Sequence, residues 1–559
     1  MAASGSSRVR LASAWWLLAL LPVFLLGQRH VLWGADEPRE AEITRELYAS
    51  GDWVVPRLNG VPFLEKPPLA HWAAATVFHV LGGPSEEWCR APAALWGILM
   101  SLACFWLGSM LFGRRVGLLA AFVLATSQEF VIQTHTLLVD PPMAAGVAWA
   151  FALFWRGYTS GSPRHRALFH LLGAAACGVA FLGKGPIGVV LPAVGVLVFL
   201  AWRKERRKAL QLLAPANLVL FAVLTAPWLA MVRWRGGSAV FRTFFWDNMV
   251  MRFFSGSADH AAPPWDYAFG IFAVMVPWAV FVPPVIFALA RPGGLETTES
   301  RRSWQYLVSI MGGPLVLLSM ASAKRPGYLL PLMPAFAVSI AAWLDGALQE
   351  VEAGWMRVWR AVGTVALALA AVAAWGASGY LAMKAHAGLV VSGVGVMAAL
   401  AGAVALGLSL RRERQQRLPV MAAGLALLTV FSLFSPSTFA ALDARRGYDP
   451  LNAAIIEVAP PGTPLIGFDM GERELGLVDF LRQEATPQIA SPQGLREVLR
   501  QRGTVVLVSV KAMTRLQAQN EWPETAEVVA APRMRNRPYV LVRGRHSLER
   551  QPLPGRGSD

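Results

Sequence analysis

Long apolar runs separated by short polar bursts fill the chain from near residue 11 to near residue 435. A helix that crosses a bilayer needs about 20 predominantly apolar residues. Scanning on that criterion predicts thirteen spans, near 11–27, 91–112, 116–134, 138–155, 168–183, 186–202, 209–231, 266–290, 304–321, 327–344, 359–382, 387–409 and 418–435. Beyond about 436 the pattern changes to short apolar stretches in a polar background. Thr504 to Val510 and Tyr539 to Val542 read as buried strands, and Leu495 to Leu499 and Ala512 to Gln519 as helices. The expected fold is therefore an α-helical polytopic membrane protein, residues 1–435, followed by a soluble α/β domain, residues 436–559, of ordinary domain size.

Composition strengthens the membrane reading. Of 559 residues, 55% are hydrophobic and 15% charged, with a mean hydropathy of +0.44. Soluble domains carry about 25% charged residues. The net charge of +16 does not indicate nucleic acid, because the basic residues cluster at the ends of apolar runs and are not interleaved with aromatics. They suit lipid headgroups and the positive-inside rule instead. Basic loops recur in one phase: Arg8 and Arg10, Arg114-Arg115, Arg164 with Arg166, Arg203 to Lys208, Arg301-Arg302, Arg357 with Arg360, and Arg411 to Arg414. Those loops are expected in the cytoplasm, which puts the alternate loops and the C-terminal domain on the periplasmic side. The first span reads as uncleaved, since no small-residue cleavage motif follows it. Cys89, Cys104 and Cys177 suggest neither a disulfide framework nor a zinc site.

With that topology the unusual polar residues collect on one face. The first outer loop, about 28–90, holds Asp36, Glu65 and Lys66; later outer loops hold Asp140, Lys184, Arg252, His260, Lys324 and Tyr328. Each has an ordinary reading. Asp36 can cap a juxtamembrane helix with Pro38 in its first turn, Asp140 can cap the fourth span, and Lys184 and Lys324 can snorkel to headgroups. Glu65-Lys66 can be an interfacial ion pair, and His260 an ordinary hydrogen-bonded histidine. Charged groups at membrane depth are costly and usually functional. A convergence from five loops on one side is not explained residue by residue.

These residues also carry a resemblance. Leu32-Trp33-Gly34-Ala35-Asp36-Glu37-Pro38-Arg39-Glu40-Ala41-Glu42-Ile43, Ser50-Gly51-Asp52-Trp53-Val54-Val55-Pro56 and Glu65-Lys66-Pro67-Pro68 resemble the first outer loop of the bacterial aminoarabinose transferase family. That family belongs to the protein O-mannosyltransferase superfamily, with the GT-C membrane fold. Asp140-Pro141-Pro142-Met143, Gly183-Lys184-Gly185, Phe244-Phe245-Trp246 with Arg252, His260, and Lys324-Arg325-Pro326-Gly327-Tyr328 continue the likeness in order through about residue 345.

The resemblance implies roles. Asp36 would be the principal catalytic carboxylate and Asp140 a second acidic group at the reacting centre. Lys66, Arg252, Tyr328 and Lys324 would hold the phosphate of a polyprenyl-phosphate sugar donor, and Glu65 with His260 would bind a divalent metal, zinc by residue type. The implied enzyme is an inner-membrane glycosyltransferase working at the periplasmic face, with lipid A or another envelope glycan or protein as acceptor. Ala261-Ala262-Pro263-Pro264 and the short Lys324-Arg325-Pro326-Gly327 segment depart from the aminoarabinose pattern, so sugar and acceptor stay open. The alternatives are a protein O-mannosyltransferase-like enzyme and, in another class, a lipid or solute transporter. A transporter should show paired halves with polar residues at mid-bilayer, whereas the charges here lie at span ends.

Overall fold

The structure is a computed structural model that describes residues 20–25, 28–34, 36–251, 262–290, 297–346, 354–384, 425–426, 438–439, 443, 449–534 and 537–545. The chain forms two compact units. One comprises residues 1–29, 52–56 and 62–439; the other comprises 30–51, 57–61 and 440–559.

The first unit is helical. Among the described residues, five helices are long and apolar enough to cross a membrane: Glu86–Phe112, Pro163–Lys184, Pro215–Arg235, Pro326–Asp345 and Val358–Ala377. The protein is thus a multi-pass membrane protein. The run expected as one span over 116–134 is broken. Arg114–Ala125 and Gln128–Thr134 meet at 68°, and counting them as one span gives six. The break has a local cause. The hydroxyls of Thr126 and Ser127 bond back to the carbonyls of Phe122 and Val123, and the Trp278 indole donates to Thr126 Oγ1 at 2.8 Å. Such back-bonding competes with the helical ladder and bends it. The run expected over 266–290 is likewise divided, into Asp266–Val274, Trp278–Phe281 and Val282–Ala290. The expected span 387–409, and most of 418–435 and 11–27, lie outside the described residues.

Small residues set the closest helix contact of this unit. Asp140–Thr159 starts on Pro141-Pro142, whose missing N–H groups cost nothing in a first turn. It lies against Pro163–Lys184 with backbones nearly touching. A Cβ on Gly146 would fall 2.7 Å from Ala180 N, and one on Gly183 would fall 2.6 Å from Met143 N. Lipid gives helices no hydrophobic reason to associate, so close packing of small residues has to supply it. Gly185, at φ +77°, then ends the second helix in a conformation that a side chain would disfavour.

The second unit is a mixed α/β structure. Its sheet runs in the order Gln488–Ile489, Leu465–Phe468, Val505–Ser509, Arg537–Gly544 and Ala526–Ala530, with Arg533–Met534 also paired to Arg537–Gly544. The first three strands are parallel, and the pairings of Arg537–Gly544 are antiparallel. Helices Pro492–Leu499 and Val510–Ala518 follow the expected positions. Leu495, Val506, Val508, Leu516, Val540 and Val542 belong to its apolar core. The unit also takes a helix from the N-terminal part of the chain, Glu37–Ser50, which packs on Glu472–Arg482. The two cross where Gly476 faces the Pro38 carbonyl and Arg39 backbone, within 2.9–3.1 Å of an added Cβ.

Gly183→Ala should force the two helices apart, because the obstructing atoms are backbone. The expected loss is on the order of 1–3 kcal/mol, read as a lower melting temperature of the purified chain. Unchanged melting would show that the contact is looser than described.

Candidate active site

In the first unit, three of the separate motifs meet. Asp140 is the first residue of its helix and Lys184 the last of the neighbouring one, and the Gly183–Met143 contact brings the two ends together. Lys184 Nζ donates to Asp140 Oδ1 at 2.5 Å, with both side chains less than 15% exposed. The same ammonium lies 4.2 Å from the centroid of the Tyr328 ring. Lys184, for which snorkelling to headgroups was the ordinary reading, instead bridges a carboxylate and an aromatic face. Short, charge-assisted contacts of this kind fix geometry as well as contribute energy.

Next to Tyr328 the sequence reading passed over one acidic residue. Glu129 accepts from Gln133 Nε2 at 2.8 Å. An added Cβ on Gly327 would lie 3.2 Å from Glu129 Oε1 and 2.5 Å from Gln133 Nε2. The glycine before Tyr328 is therefore where the helix Gln128–Thr134 approaches the Pro326–Leu332 turn. A carboxylate inside an apolar run was the available signal.

Glu65 and Lys66 sit on a loop with well-defined supports. The Trp228 indole donates to the Val54 carbonyl at 3.1 Å, and that of Trp72 to the Trp53 carbonyl at 2.7 Å. Leu64 is buried in a cluster with Val54, Val55, Phe181, Trp228 and Phe244, and Asn248 donates to its carbonyl. Lys66 Nζ lies 3.3 Å from Glu65 Oε2, and each side chain is about one quarter exposed. Lys324 is nearly buried and donates to the carbonyls of Ala262 and Ala321 at 2.9 and 2.6 Å. Two of its three N–H donors thus hold this turn, in the segment before Tyr328.

Among the described residues no group of three histidine, cysteine or acidic side chains could hold a metal ion. Glu65 is engaged with Lys66. His260, like Arg252, lies outside the described residues. The described set does not make a metal site by itself.

Asp36 belongs to the second unit. It occupies the N-cap position of Glu37–Ser50, yet its side chain makes no capping hydrogen bond. It accepts from Arg39 Nη2 at 3.1 Å, and Arg39 also reaches Glu40 at 2.9 Å and Glu472 at 3.3 Å. Farther along, buried Glu42 and Arg45 form a two-pronged pair at 2.7 Å, and Arg45 also donates to the Gln483 carbonyl. Glu46 accepts from Gly60 N, and Asn59 donates to the Thr486 carbonyl. Burial pushes the nearby Asp479 carboxyl up to about 7; its Oδ1 accepts from Thr486 N. Helix Glu37–Ser50 is thus held through charges as well as through buried Ala41, Ile43 and Leu47, and it fixes the backbone on which Asp36 stands.

Comparison with known proteins agrees with this assembly. The sequence model of the dolichyl-phosphate-mannose-protein mannosyltransferase family matches residues 65–231. An undecaprenyl phosphate-alpha-4-amino-4-deoxy-L-arabinose arabinosyl transferase of Edwardsiella ictaluri is 30% identical over 386 residues, covering 67% of this chain and 68% of the relative. The enzyme of the same name from Pectobacterium atrosepticum is 32% identical over 363 residues, 64% of each chain. The chain thus spans about two thirds of the length of these relatives. The fold is similar to the crystal structure of ArnT from Cupriavidus metallidurans bound to undecaprenyl phosphate, with a TM-score of 0.74 at 23% identity over 97% of this chain and 98% of that one. It is more distantly similar to the oligosaccharyltransferase AglB of Archaeoglobus fulgidus, with a TM-score of 0.50 at 12% identity, covering 92% of this chain and 71% of that one. By the extent and identity of the match, the chain belongs to the family of undecaprenyl phosphate-aminoarabinose arabinosyl transferases, ArnT-like glycosyltransferases of the GT-C fold.

Proposed function

We propose that this protein is an inner-membrane glycosyltransferase that moves a sugar, aminoarabinose-like in the first reading, from a polyprenyl phosphate to lipid A or another envelope acceptor at the periplasmic face. The observation that carries the proposal is the meeting of Asp140, Lys184 and Tyr328 from three separate motifs in a chain related to aminoarabinose transferases. The match to the mannosyltransferase family model favours, as a second reading, a protein acceptor in place of lipid A. The finer architecture of the proposal is thirteen spans over 1–435 with residues 436–559 on the periplasmic side.

The chemistry follows from charge. Departure of a polyprenyl phosphate concentrates negative charge on the leaving oxygens, and nearby cations and donors stabilise it. Lys66 serves that purpose in this reading, together with Arg252 and the Tyr328 hydroxyl. As the bond breaks, the sugar carbon becomes oxocarbenium-like and gains from a close carboxylate. Asp140 supplies one: Oδ1 is held by Lys184, which aims the group and leaves Oδ2 for the reacting centre. Asp36 is the second carboxylate. It takes the acceptor's proton if the acceptor is a hydroxyl, and stabilises or positions if the acceptor is an anionic phosphate. Glu65 and His260 would hold a divalent cation, which would polarise the donor phosphate.

Three measurements test this reading. Sugar transfer from a polyprenyl-phosphate donor by the purified chain should fall on the order of 100-fold in Asp36→Asn, with an unchanged melting temperature; near-full activity would reduce Asp36 to a helix-end residue. For the Asp140–Lys184 pair, Lys184→Met should cost about 3–5 kcal/mol of stability by stranding a buried charge. Adding Asp140→Asn should restore stability without restoring transfer. Recovery of transfer in that double variant would make the pair structural only. A reporter that works only in the periplasm, fused at Ser437, should be active; silence there would overturn the orientation.

A further inference from the structure

A buried cluster of acids in the second unit carries more negative charge than its surroundings balance. It lies where helix Glu37–Ser50 packs on helix Glu472–Arg482, and all of its residues belong to that unit. Glu42 and Glu46 come from the first helix and Asp479 from the second. Glu42 and Asp479 are fully buried, and Glu46 is 9% exposed. Among the described residues, the cation set against these three carboxyls is Arg45. Neighbouring cations are committed elsewhere. Arg482 turns to the carbonyls of Ala459 and Thr463 and to Glu484, and Arg57 donates to the Gly60 carbonyl. Arg39 is shared among Asp36, Glu40 and Glu472.

Three ionised carboxylates beside one guanidinium would leave buried negative charge uncompensated. Such charge is expensive, and a buried acid avoids it by keeping its proton. Hydrogen bonding decides which acid does so. Arg45 donates to both oxygens of Glu42 at 2.7 Å, and Gly60 N donates to Glu46 at 2.9 Å. Both contacts favour the ionised form. Asp479 is placed differently. Its Oδ1 accepts from Thr486 N at 2.9 Å, while its Oδ2 is buried without a hydrogen bond among the described residues. The Thr486 hydroxyl beside this carboxyl is in the same state. A proton on Oδ2 replaces a bare anionic oxygen with a donor, which a hydroxyl oxygen can accept. Burial raises the Glu42 and Asp479 carboxyls together, to about 8 and about 7; they are two acids with one proton between them. With Arg45 on both oxygens of Glu42, that proton belongs on Asp479.

We infer that the joint between these two helices is a proton-dependent clasp: Asp479 closes it as the neutral acid, and loss of the proton loosens the helix that carries Asp36 at its start. Docking takes the proton up, because the same acid exposed to water loses it near about pH 4. The clasp is therefore tightest below that pH and weakens as the pH rises toward about 7, where the buried carboxyl itself ionises.

Amide hydrogen exchange of the full purified chain tests the clasp, read by mass spectrometry on peptides from Glu37–Ser50 and corrected for the intrinsic pH dependence of exchange. Protection of this helix should fall on the order of 100-fold between about pH 5 and about pH 8, since each pH unit below the folded-state value changes docking about tenfold. Asp479→Asn keeps the Oδ1 acceptor and puts a permanent N–H donor where the proton sits. Its protection at the higher pH should match that of the native chain at the lower one. Native protection that stays constant across this range would overturn the inference, whether or not the variant folds. So would an Asp479→Asn chain whose protection falls as the native one does, because the titrating group would then lie elsewhere.

Discussion

An ammonium and a carboxylate held 2.5 Å apart at the ends of two neighbouring helices are the contact on which the first unit's cluster of charged groups turns. Removing either charge from water is expensive, and their attraction repays the cost only with good geometry. That geometry is a backbone property. Gly183 has no side chain to keep its helix off Met143, Pro141-Pro142 begins the facing helix beside Asp140, and Gly185 ends the other just after Lys184. Tyr328 then packs on the ammonium, and Gly327 lets Glu129 and Gln133 come close behind it. Four short motifs, distant in sequence, are parts of one arrangement. Each loses its meaning if the two helix backbones move apart by the width of a methyl group.

Much of this was legible in the sequence, for definable reasons. Apolar run length located the helices because a bilayer imposes it, and short continuous apolar runs located Val505–Ser509 and Arg537–Gly544 because a sheet covered on both faces demands them. The motifs around Asp140, Lys184 and Tyr328 stood out because ionisable and special-backbone residues are rare in such a chain. Partnership was not legible. Lys184 looked like a headgroup anchor until the helix crossing supplied Asp140, and Lys324 looked available until Ala262 and Ala321 supplied carbonyls. The break at Thr126-Ser127 was hidden because serine and threonine bend a helix only when their hydroxyls turn back on it.

The burial of the helix Glu37–Ser50 was hidden for a different reason. Its composition is that of a surface helix, with glutamates and arginines at six of its fourteen positions, yet Glu37, Glu40, Glu42, Arg45 and Glu46 are all buried. Periodicity reports which face is apolar; it says nothing about a face that is buried by pairing its charges. Arg39 with three carboxylates and Arg45 with Glu42 achieve that pairing, and the close approach at Gly476 allows it. A polar helix can be interior structure when every charge on it has a counterpart.

That composite unit imposes an order on the making of the protein. His30–Gly51 leaves the ribosome about 390 residues before Ala440, the first residue of its partner segment. At about 5–20 residues per second, the wait is on the order of twenty seconds to over a minute. Throughout it, a helix rich in charge must stay soluble without Glu472 and the Gln483 carbonyl, the C-terminal partners of its Arg39 and Arg45. Its charge, costly to bury later, is what keeps it from collapsing or pairing wrongly meanwhile. The same residues thus serve first as a guard against premature association and afterwards as the joint of the finished unit.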